Sequence, residues 1–371
     1  MSYLVRARDL GIPFDGTTGQ FNSLTDVQGV EVGHSTIIKG EGELVVGKGP
    51  IRTGVTVIFP VGKNDKQVFG GIFSLNGNGE MTGSHWVEES GLIMSPICIT
   101  NTHSVGKVRD FIIEWKILQS PERSIDEFRW FLPIVAETYD GVLNDINGFH
   151  VSKEHVFEAI DRSKSPNTEE GNVGGGTGMI CHQFKGGIGT SSRVIQIDGE
   201  DLTVGVLVQA NYGNRSDLTI GGVNVGKELT ELMPKINQKE PSGKEGSLIV
   251  IIATDAPLLP YQLKRLCKRV IFGLGRVGGH SSNSSGDIFL AFSTHNSVDE
   301  ADSKKVHDVK FLGNSSLDPL FKSVAQATEE AIINSLVAAE TMQGINNNTV
   351  YALPHDRVLE VLRTYRFKLE E

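Results

Sequence analysis

Six apolar runs with the residue preferences of β-strands constrain the fold of this chain more than any other feature. They are rich in Val, Ile and Leu, residues that suit a pleated and buried surface. Runs with helical apolar spacing lie between and after them, without the strict alternation that a βαβ protein shows. The pattern therefore predicts an α+β fold in which stacked sheets are covered by helices. The predicted strands are 54–60, 91–100, 192–198, 202–210, 247–254 and 287–294, and the predicted helices are 105–118, 258–272, 321–342 and 356–365.

Composition narrows the class of partner. The 371 residues, enough for one large domain or two ordinary ones, carry a formal net charge of −10, which argues against a nucleic-acid partner or an anionic membrane surface. No run approaches the ~18 consecutive apolar residues of a membrane span, and the N-terminal segment lacks a secretory apolar core. We therefore expect a cytoplasmic protein.

Cysteine and histidine usage points away from metal and thiol chemistry. Cys98, Cys181 and Cys267 have no metal-ligand or CxxC spacing, so we expect three buried apolar side chains. A thiol nucleophile at Cys181, beside His182, is the alternative. HExxH is absent and the ten histidines are scattered, so neither a metal nor a cofactor is expected.

Glycine is enriched and clustered, with 43 residues in the chain. Clusters of this kind line pockets or form tight turns, because glycine tolerates positive φ and close backbone approach. The GLGRVG run at 273–278 follows a basic amphipathic segment instead of a strand, so we interpret it as a turn and not as a dinucleotide loop. The clusters lie at 76–79, 174–178, 186–187, 221–222 and 273–279.

One junction stands out between a polar segment and an apolar strand. Residues 234–246, PKINQKEPSGKEG, have the composition of an exposed flexible connection. The segment ends at Gly246, and Ser247 opens the most apolar strand of the chain. The sequence thus predicts a serine hydroxyl at the first position of a buried strand.

Three further sets of polar residues could assist a reaction at such a hydroxyl. Ser285 and Asp287 are two apart at a predicted strand entrance, so they share a face and could tune a neighbouring group; a polar loop would look the same. Glu137 and Tyr139 form a similar pair, suited to an ammonium and to an oxyanion, although surface strand ends often carry such pairs. Asn211 could donate to an oxyanion or simply occupy a turn.

These segments together resemble one family, the L-aminopeptidase D-Ala-esterase/amidase family, which includes the β-peptidyl aminopeptidases. The likeness runs in order along essentially the whole chain. Its segments are RARDLGIPFDG, TDVQGVEVGH, AETYDG (136–141), GNVGGGTGM (171–179), VQANYG (208–213), KEGSLIVIIATDAPL (244–258), NSSGDIFLAFST (283–294) and ALPHDRVLEVLR.

The resemblance implies an αββα sandwich like that of N-terminal-nucleophile hydrolases. It also implies a precursor that cleaves itself between Gly246 and Ser247 into an α chain, 1–246, and a β chain, 247–371. Members assemble as oligomers of αβ units, usually four. Substrates would be short peptides and amino-acid amides or esters.

Roles carry over position by position. Ser247 matches the nucleophile, Ser285 and Asp287 the supporting hydroxyl and acid, and Asn211 the oxyanion-stabilising asparagine. Glu137 matches the acid that holds the substrate amine, and Tyr139 the active-site tyrosine. We add Trp130 as a wall of the substrate pocket.

Two other functions stay open at this point. The first is an acyltransferase of the self-cleaving ornithine acetyltransferase type, against which Ser247 speaks, since that family uses threonine. The second is an unprocessed binding protein that kept the fold without activity. The general base also stays open, because the α-amine of Ser247 and a relay through Ser285 and Asp287 are both chemically able to accept its proton.

Overall fold

Two β-sheets stacked face to face form the centre of the protein. The computed structural model describes residues 5–64, 66–119, 130–166, 168–237, 246–299 and 304–367. The strands are β1 Glu31–Lys39, β2 Ile51–Phe59, β3 Lys66–Ser74, β4 Leu92–Ile93, β5 Ile97–Asn101, β6 Ile134–Thr138, β7 Ile180–Cys181, β8 Phe184–Lys185, β9 Gly187–Ile197, β10 Glu200–Asn211, β11 Ser247–Thr254, β12 Gly286–Asp299, β13 Met342–Gln343 and β14 Thr349–Val350. The α-helices are α1 Ser84–Ser90, α2 Val105–Leu118, α3 Lys153–Asp161, α4 Pro260–Cys267, α5 Val270–Arg276, α6 Asp318–Val337 and α7 His355–Phe367.

The sheets differ in size and in the order of their strands. The larger sheet has the order β4-β3-β12-β11-β10-β9, and the smaller has the order β1-β2-β5-β6. Most neighbours are antiparallel, but β11 runs parallel to β12 and β5 runs parallel to β6. Strand β6 of the smaller sheet lies against β11 of the larger one, so the ends of these two strands can share a site.

Three apolar layers show that the architecture is an αββα sandwich, as predicted. One layer lies between the sheets, and it includes Ile99 of β5 together with Ile249 and Ile251 of β11. A second joins the outer face of the larger sheet to α4, α5 and α6. A third joins the outer face of the smaller sheet to α2 and α3.

The central position of β11 explains why its residues 248–253 are all apolar. Its even-numbered residues from Leu248 to Ile252 face the helical layer, and its odd-numbered residues from Ile249 to Ala253 face the other sheet. Side chains of a strand alternate between the two faces of its sheet, and here both faces are buried. All eight residues of the strand are therefore inaccessible to solvent or nearly so.

Four predictions about secondary structure were wrong in part. The segment 91–100 forms two strands, because β4 pairs with β3 in the larger sheet while β5 pairs with β2 in the smaller one. The predicted helix 258–272 is two helices, since the chain leaves helical hydrogen bonding after Cys267. The GLGRVG run starts inside α5, with only its end in a turn. Helix α6 ends at Val337, short of the predicted end at 342. The structure also contains α1, α3, β1, β3 and β6, for which the sequence reasoning gave no prediction.

The close packing of β9 on α6 depends on a residue without a side chain. A Cβ at Gly189 would lie 2.0 Å from the carbonyl oxygen of Ala331 and 2.6 Å from the nitrogen of Ser335. We expect Gly189→Ala to lower the free energy of unfolding by about 1–3 kcal/mol through overpacking. Thermal unfolding measured beside the wild type would show the loss.

The matched control is Gly106→Ala on the exposed face of α2. A Cβ there meets nothing within 4 Å, and alanine favours a helix over glycine by about 1 kcal/mol. The midpoint of thermal unfolding should therefore rise for Gly106→Ala and fall for Gly189→Ala. Equal midpoints for the two variants would contradict the packing argument.

Among the described residues, no helix combines the length and the apolar character that crossing a membrane requires.

Candidate active site

Ser247 is the first residue of β11 and is held from both sides by neighbouring strands. Asn211, the last residue of β10, is its antiparallel partner, and Gly286, the first residue of β12, is its parallel partner. Ser247 is buried, with 6% of the residue's surface exposed. Three strand ends therefore converge at this serine.

Gly246, the residue before Ser247, packs closely against Tyr212, which directly follows β10. A Cβ at Gly246 would lie 3.3 Å from both Cα and Cβ of Tyr212, so the position has little room for a side chain. Of the predicted exposed connection, residues 238–245 lie outside the described residues. Residues 234–237, which are described, are mostly exposed.

Ser285 and Asp287 form a hydrogen-bonded pair beside the strand entrance. The Ser285 hydroxyl donates to Oδ1 of Asp287 at 2.8 Å, and both side chains are buried. Burial raises the pKa of Asp287, against the hydrogen bonds that the hydroxyls of Ser281 and Ser285 donate to it. The i, i+2 spacing thus places the hydroxyl and the acid together, as predicted.

The side-chain amide of Asn211 is fixed by the backbone on both sides. Its Oδ1 accepts from the N–H of Ile180 at 2.8 Å, and its Nδ2 donates to the carbonyl of Tyr139 at 2.9 Å. One of the two amide N–H donors is thereby used, and the orientation of the amide is set. Asn211 therefore lies next to Ser247 as a buried, oriented side chain and not as a turn residue.

A buried lysine supports the segment that orients Asn211. Lys185 is fully buried, and its ammonium donates to the carbonyls of Met179 at 2.9 Å and Gly186 at 2.8 Å. Burial lowers the pKa of Lys185 to about 7, although the nearby Asp140 opposes that shift. The lysine holds the residue before Ile180, and so fixes the N–H that Asn211 accepts.

Glu137 lies in β6, on the other side of the space between the sheets. Its carboxylate accepts from the N–H of Glu80 at 3.0 Å and from the hydroxyl of Thr102. Burial raises the pKa of Glu137, against these two hydrogen bonds. A Cβ at Gly79 would lie 3.4 Å from Oε1 of Glu137 and 3.1 Å from Cα of Gly286, so one glycine separates this acid from the partner of Ser247.

The two aromatic candidates occupy different positions. Tyr139 is half-buried just beyond β6, and its ring packs on Gly141, while its carbonyl binds Asn211. Trp130 is 46% exposed and stacks edge to face on Trp86 of α1, with ring centroids 5.2 Å apart. A role for Trp130 as a pocket wall stays a prediction.

The residues around Glu137 include two that the sequence reasoning did not single out. Thr102 follows the end of β5, and Glu80 follows the cluster at 76–79, which packs on Gly286. The glycine cluster was a usable signal, because glycines allow close backbone approach. Thr102 gave no signal, since its contact with Glu137 depends on the parallel pairing of β5 with β6.

The cysteines are buried, as predicted, and have the properties of inert side chains. Burial raises the pKa of Cys181 to about 12, which opposes formation of a thiolate nucleophile. In the part of the chain that the structure describes, no group of three or more His, Cys, Asp or Glu side chains is arranged to hold a metal ion.

The fold, with Ser247 at the start of β11, defines the class of protein. The structure superposes with a TM-score of 0.90 on the L-aminopeptidase D-Ala-esterase/amidase of Ochrobactrum anthropi, a serine aminopeptidase with a variant of the Ntn hydrolase fold. The two chains are 44% identical, over 97% of this chain and 98% of the other. A β-aminopeptidase from Burkholderia sp. superposes with a TM-score of 0.87 at 46% identity, over 97% of this chain and 99% of the other. The chain thus has the Ntn hydrolase fold.

The family follows from the sequence. Residues 22–350 match the model of peptidase family S58, and the chain belongs to that family of hydrolases. It is 50% identical to the β-peptidyl aminopeptidase BapA of Sphingosinicella microcystinivorans, over 97% of this chain and 92% of that protein.

Proposed function

We propose that this protein is a self-processing serine aminopeptidase and amidase. It cleaves its own Gly246–Ser247 bond to give an α chain, 1–246, and a β chain, 247–371. The mature enzyme then releases N-terminal residues from short peptides, amino-acid amides and esters through an acyl-enzyme on Ser247. The observation that carries the proposal is the position of Ser247, directly after a glycine, between Asn211 and Gly286.

An N-terminal serine combines a nucleophile with a base in one residue. A free α-amine has a pKa of about 7.7–8.0, so near neutral pH it can accept the proton of the Ser247 hydroxyl. The Ser285–Asp287 pair at 2.8 Å offers a second route for that proton. Asn211, the antiparallel partner of Ser247, would donate to the developing oxyanion, and water then releases the acyl group.

The substrate must bring a positive charge to the site. Glu137 is a buried carboxylate, separated by Gly79 from Gly286, the strand partner of Ser247, and a substrate ammonium would be its counter-ion. Of the three relatives, one is named a β-peptidyl aminopeptidase, one a β-aminopeptidase and one an L-aminopeptidase D-Ala-esterase/amidase. We propose short, N-terminally unblocked substrates and leave the acyl group open between L-, D- and β-amino acids.

Replacing Glu137 with glutamine tests the ammonium site. A hydrogen bond to a charged group is worth about 1.5–3 kcal/mol, so we expect KM for an amino-acid amide to rise about 10- to 100-fold, with a smaller change in kcat. Because burial raises the pKa of Glu137, the wild-type carboxylate takes up a proton as the pH falls, before a solvent-exposed glutamate would. The wild-type KM should therefore rise toward acid pH, and the KM of the Glu137→Gln variant should not.

The control for this change is Glu80→Gln. Glu80 is exposed and its backbone N–H, which binds Glu137, is unaffected by the substitution. We expect nearly wild-type KM for it. A Glu137→Gln enzyme with an unchanged KM at neutral pH would remove Glu137 from the substrate site.

Intact-mass spectrometry under denaturing conditions tests the function as a whole. Two species, one ending at Gly246 and one beginning at Ser247, are expected, together with hydrolysis of an unblocked amino-acid amide. A single 371-residue species that persists on long incubation and hydrolyses nothing would overturn the proposal. Processing with acyl transfer to an amine acceptor, and no hydrolysis, would favour the acyltransferase.

The αβ units are proposed to assemble as a homo-oligomer, with four units as the expected number, in the cytoplasm. Three buried free cysteines suit a reducing compartment. Light scattering coupled to size-exclusion chromatography gives the number of units directly.

A further inference from the structure

The carbonyl group of the bond proposed to be cleaved already has a hydrogen-bond donor. The N–H of Gly286 donates to the carbonyl oxygen of Gly246 at 3.0 Å. This bond follows from the parallel pairing of Ser247 with Gly286, in which each N–H reaches the carbonyl that precedes its partner. The sheet therefore holds the oxygen on which negative charge would develop when Ser247 attacks.

The donor is held rigidly by the loop that carries the 76–79 cluster. A Cβ at Gly286 would lie 2.4 Å from the carbonyl oxygen of Asn78 and 2.8 Å from Cα of Gly79. The side chain of Asn78 donates to the carbonyl of Ser284 at 2.7 Å, and the N–H of Asp287 donates to the carbonyl of Asn76 at 3.2 Å. Gly286 is thus buried and packed closely against the loop that carries the 76–79 cluster.

We propose that the backbone N–H of Gly286 is the oxyanion donor of self-cleavage. The inference rests on the proposed function, and it assigns to the processing step a donor other than Asn211. A donor that is fixed before the reaction stabilises the developing charge without reorganisation. The hydrogen bonds that pair β11 with β12 therefore also supply the donor for cleavage of the Gly246–Ser247 bond.

The step balances as an acyl shift followed by hydrolysis. The Oγ of Ser247 forms a bond to the carbonyl carbon of Gly246, and the carbonyl π electrons move to the oxygen that Gly286 holds. When that intermediate collapses, the C–N bond breaks, and the proton lost by Oγ ends on the nitrogen of Ser247. Water then hydrolyses the ester, giving the Gly246 carboxylate and restoring the Ser247 hydroxyl.

The test replaces one N–H by oxygen in the full-length chain. Glycolic acid incorporated at position 286 during cell-free translation removes the donor and adds no atom that could clash. We expect self-cleavage, followed by intact mass, to slow by about 10²- to 10³-fold, as for loss of one oxyanion donor. The matched control is the α-hydroxy analogue of isoleucine at position 288, whose N–H serves the next carbonyl of the same ladder, that of Leu248. It should process within a few-fold of the wild type.

A second variant keeps the donor and loosens its support. Asn78→Ala removes the hydrogen bond to the Ser284 carbonyl, and we expect processing to slow several-fold, with circular dichroism unchanged. Three outcomes overturn the inference while the wild type splits normally: a Gly286 ester that processes at the wild-type rate, an Asn78→Ala chain that processes at the wild-type rate, or equal slowing by the two esters. A wild-type chain that never splits overturns the proposed function instead.

Discussion

Replacing Ser247 with alanine is expected to leave one uncleaved 371-residue chain and to lower amidase activity by roughly four to six orders of magnitude. In the proposed mechanism the same Oγ attacks the Gly246 carbonyl during processing and the substrate carbonyl during turnover. Loss of a serine nucleophile costs about 10⁶-fold where it has been measured in another hydrolase family. Denaturing intact mass gives the first result, and hydrolysis of an amino-acid amide gives the second.

The fold should survive this change, because alanine differs from serine by one oxygen at a buried strand position. The control is Ser282→Ala, an exposed serine in the loop that leads to Ser285, which should process and turn over normally. Thermal unfolding of both variants separates a lost nucleophile from a lost fold. A Ser247→Ala chain that still splits after Gly246 would rule out the mechanism.

The sequence predicted those parts of the fold whose signal is local. Strand β11 begins and ends where the apolar run 247–254 does, and α2 matches the predicted helix 105–118. Periodicity could not tell that Leu92–Ile93 and Ile97–Asn101 enter different sheets. That outcome depends on pairing with distant strands, which a run of apolar residues does not encode.

The residues of the candidate site also divide into those that local spacing predicts and those that depend on the pairing of distant strands. Ser285 and Asp287 could be paired from their spacing, because residues two apart on a strand share a face. Glu137, Asn211 and Ser247 come from three separate strands, and only the resemblance brought them together before the structure did. The N–H of Gly286 could not be found in either way, since every non-proline residue has one and only strand register gives it a partner.

Asn211 is the second position where a large effect is expected. Replacing Asn211 with leucine keeps the branching of the side chain at Cγ and removes the amide that lies beside Ser247. If the second N–H of that amide stabilises the oxyanion of turnover, kcat should fall about 10²- to 10³-fold while KM changes little. Kinetics with an amino-acid amide, measured on processed enzyme, separate the two constants.

The same amide also joins Ile180 to Tyr139, so its removal leaves the Ile180 N–H and the Tyr139 carbonyl without their partner. Each such loss costs about 1–3 kcal/mol of stability, and a drop in the thermal midpoint should therefore accompany the loss of rate. Asn214→Ala is the control, because Asn214 lies three residues after Asn211 and its amide reaches Asp217 instead of Tyr139; it should lower neither kcat nor KM. If Asn211 is purely structural, its replacement will lower the thermal midpoint and leave the kcat of the folded fraction within about twofold of the wild type. If Asn211 is an oxyanion donor, its replacement will lower kcat even at temperatures where the variant is fully folded.

If self-cleavage uses Gly286 as its donor, the Asn211→Leu chain will still split at Gly246–Ser247, so the variant also separates the donor of processing from the donor of turnover.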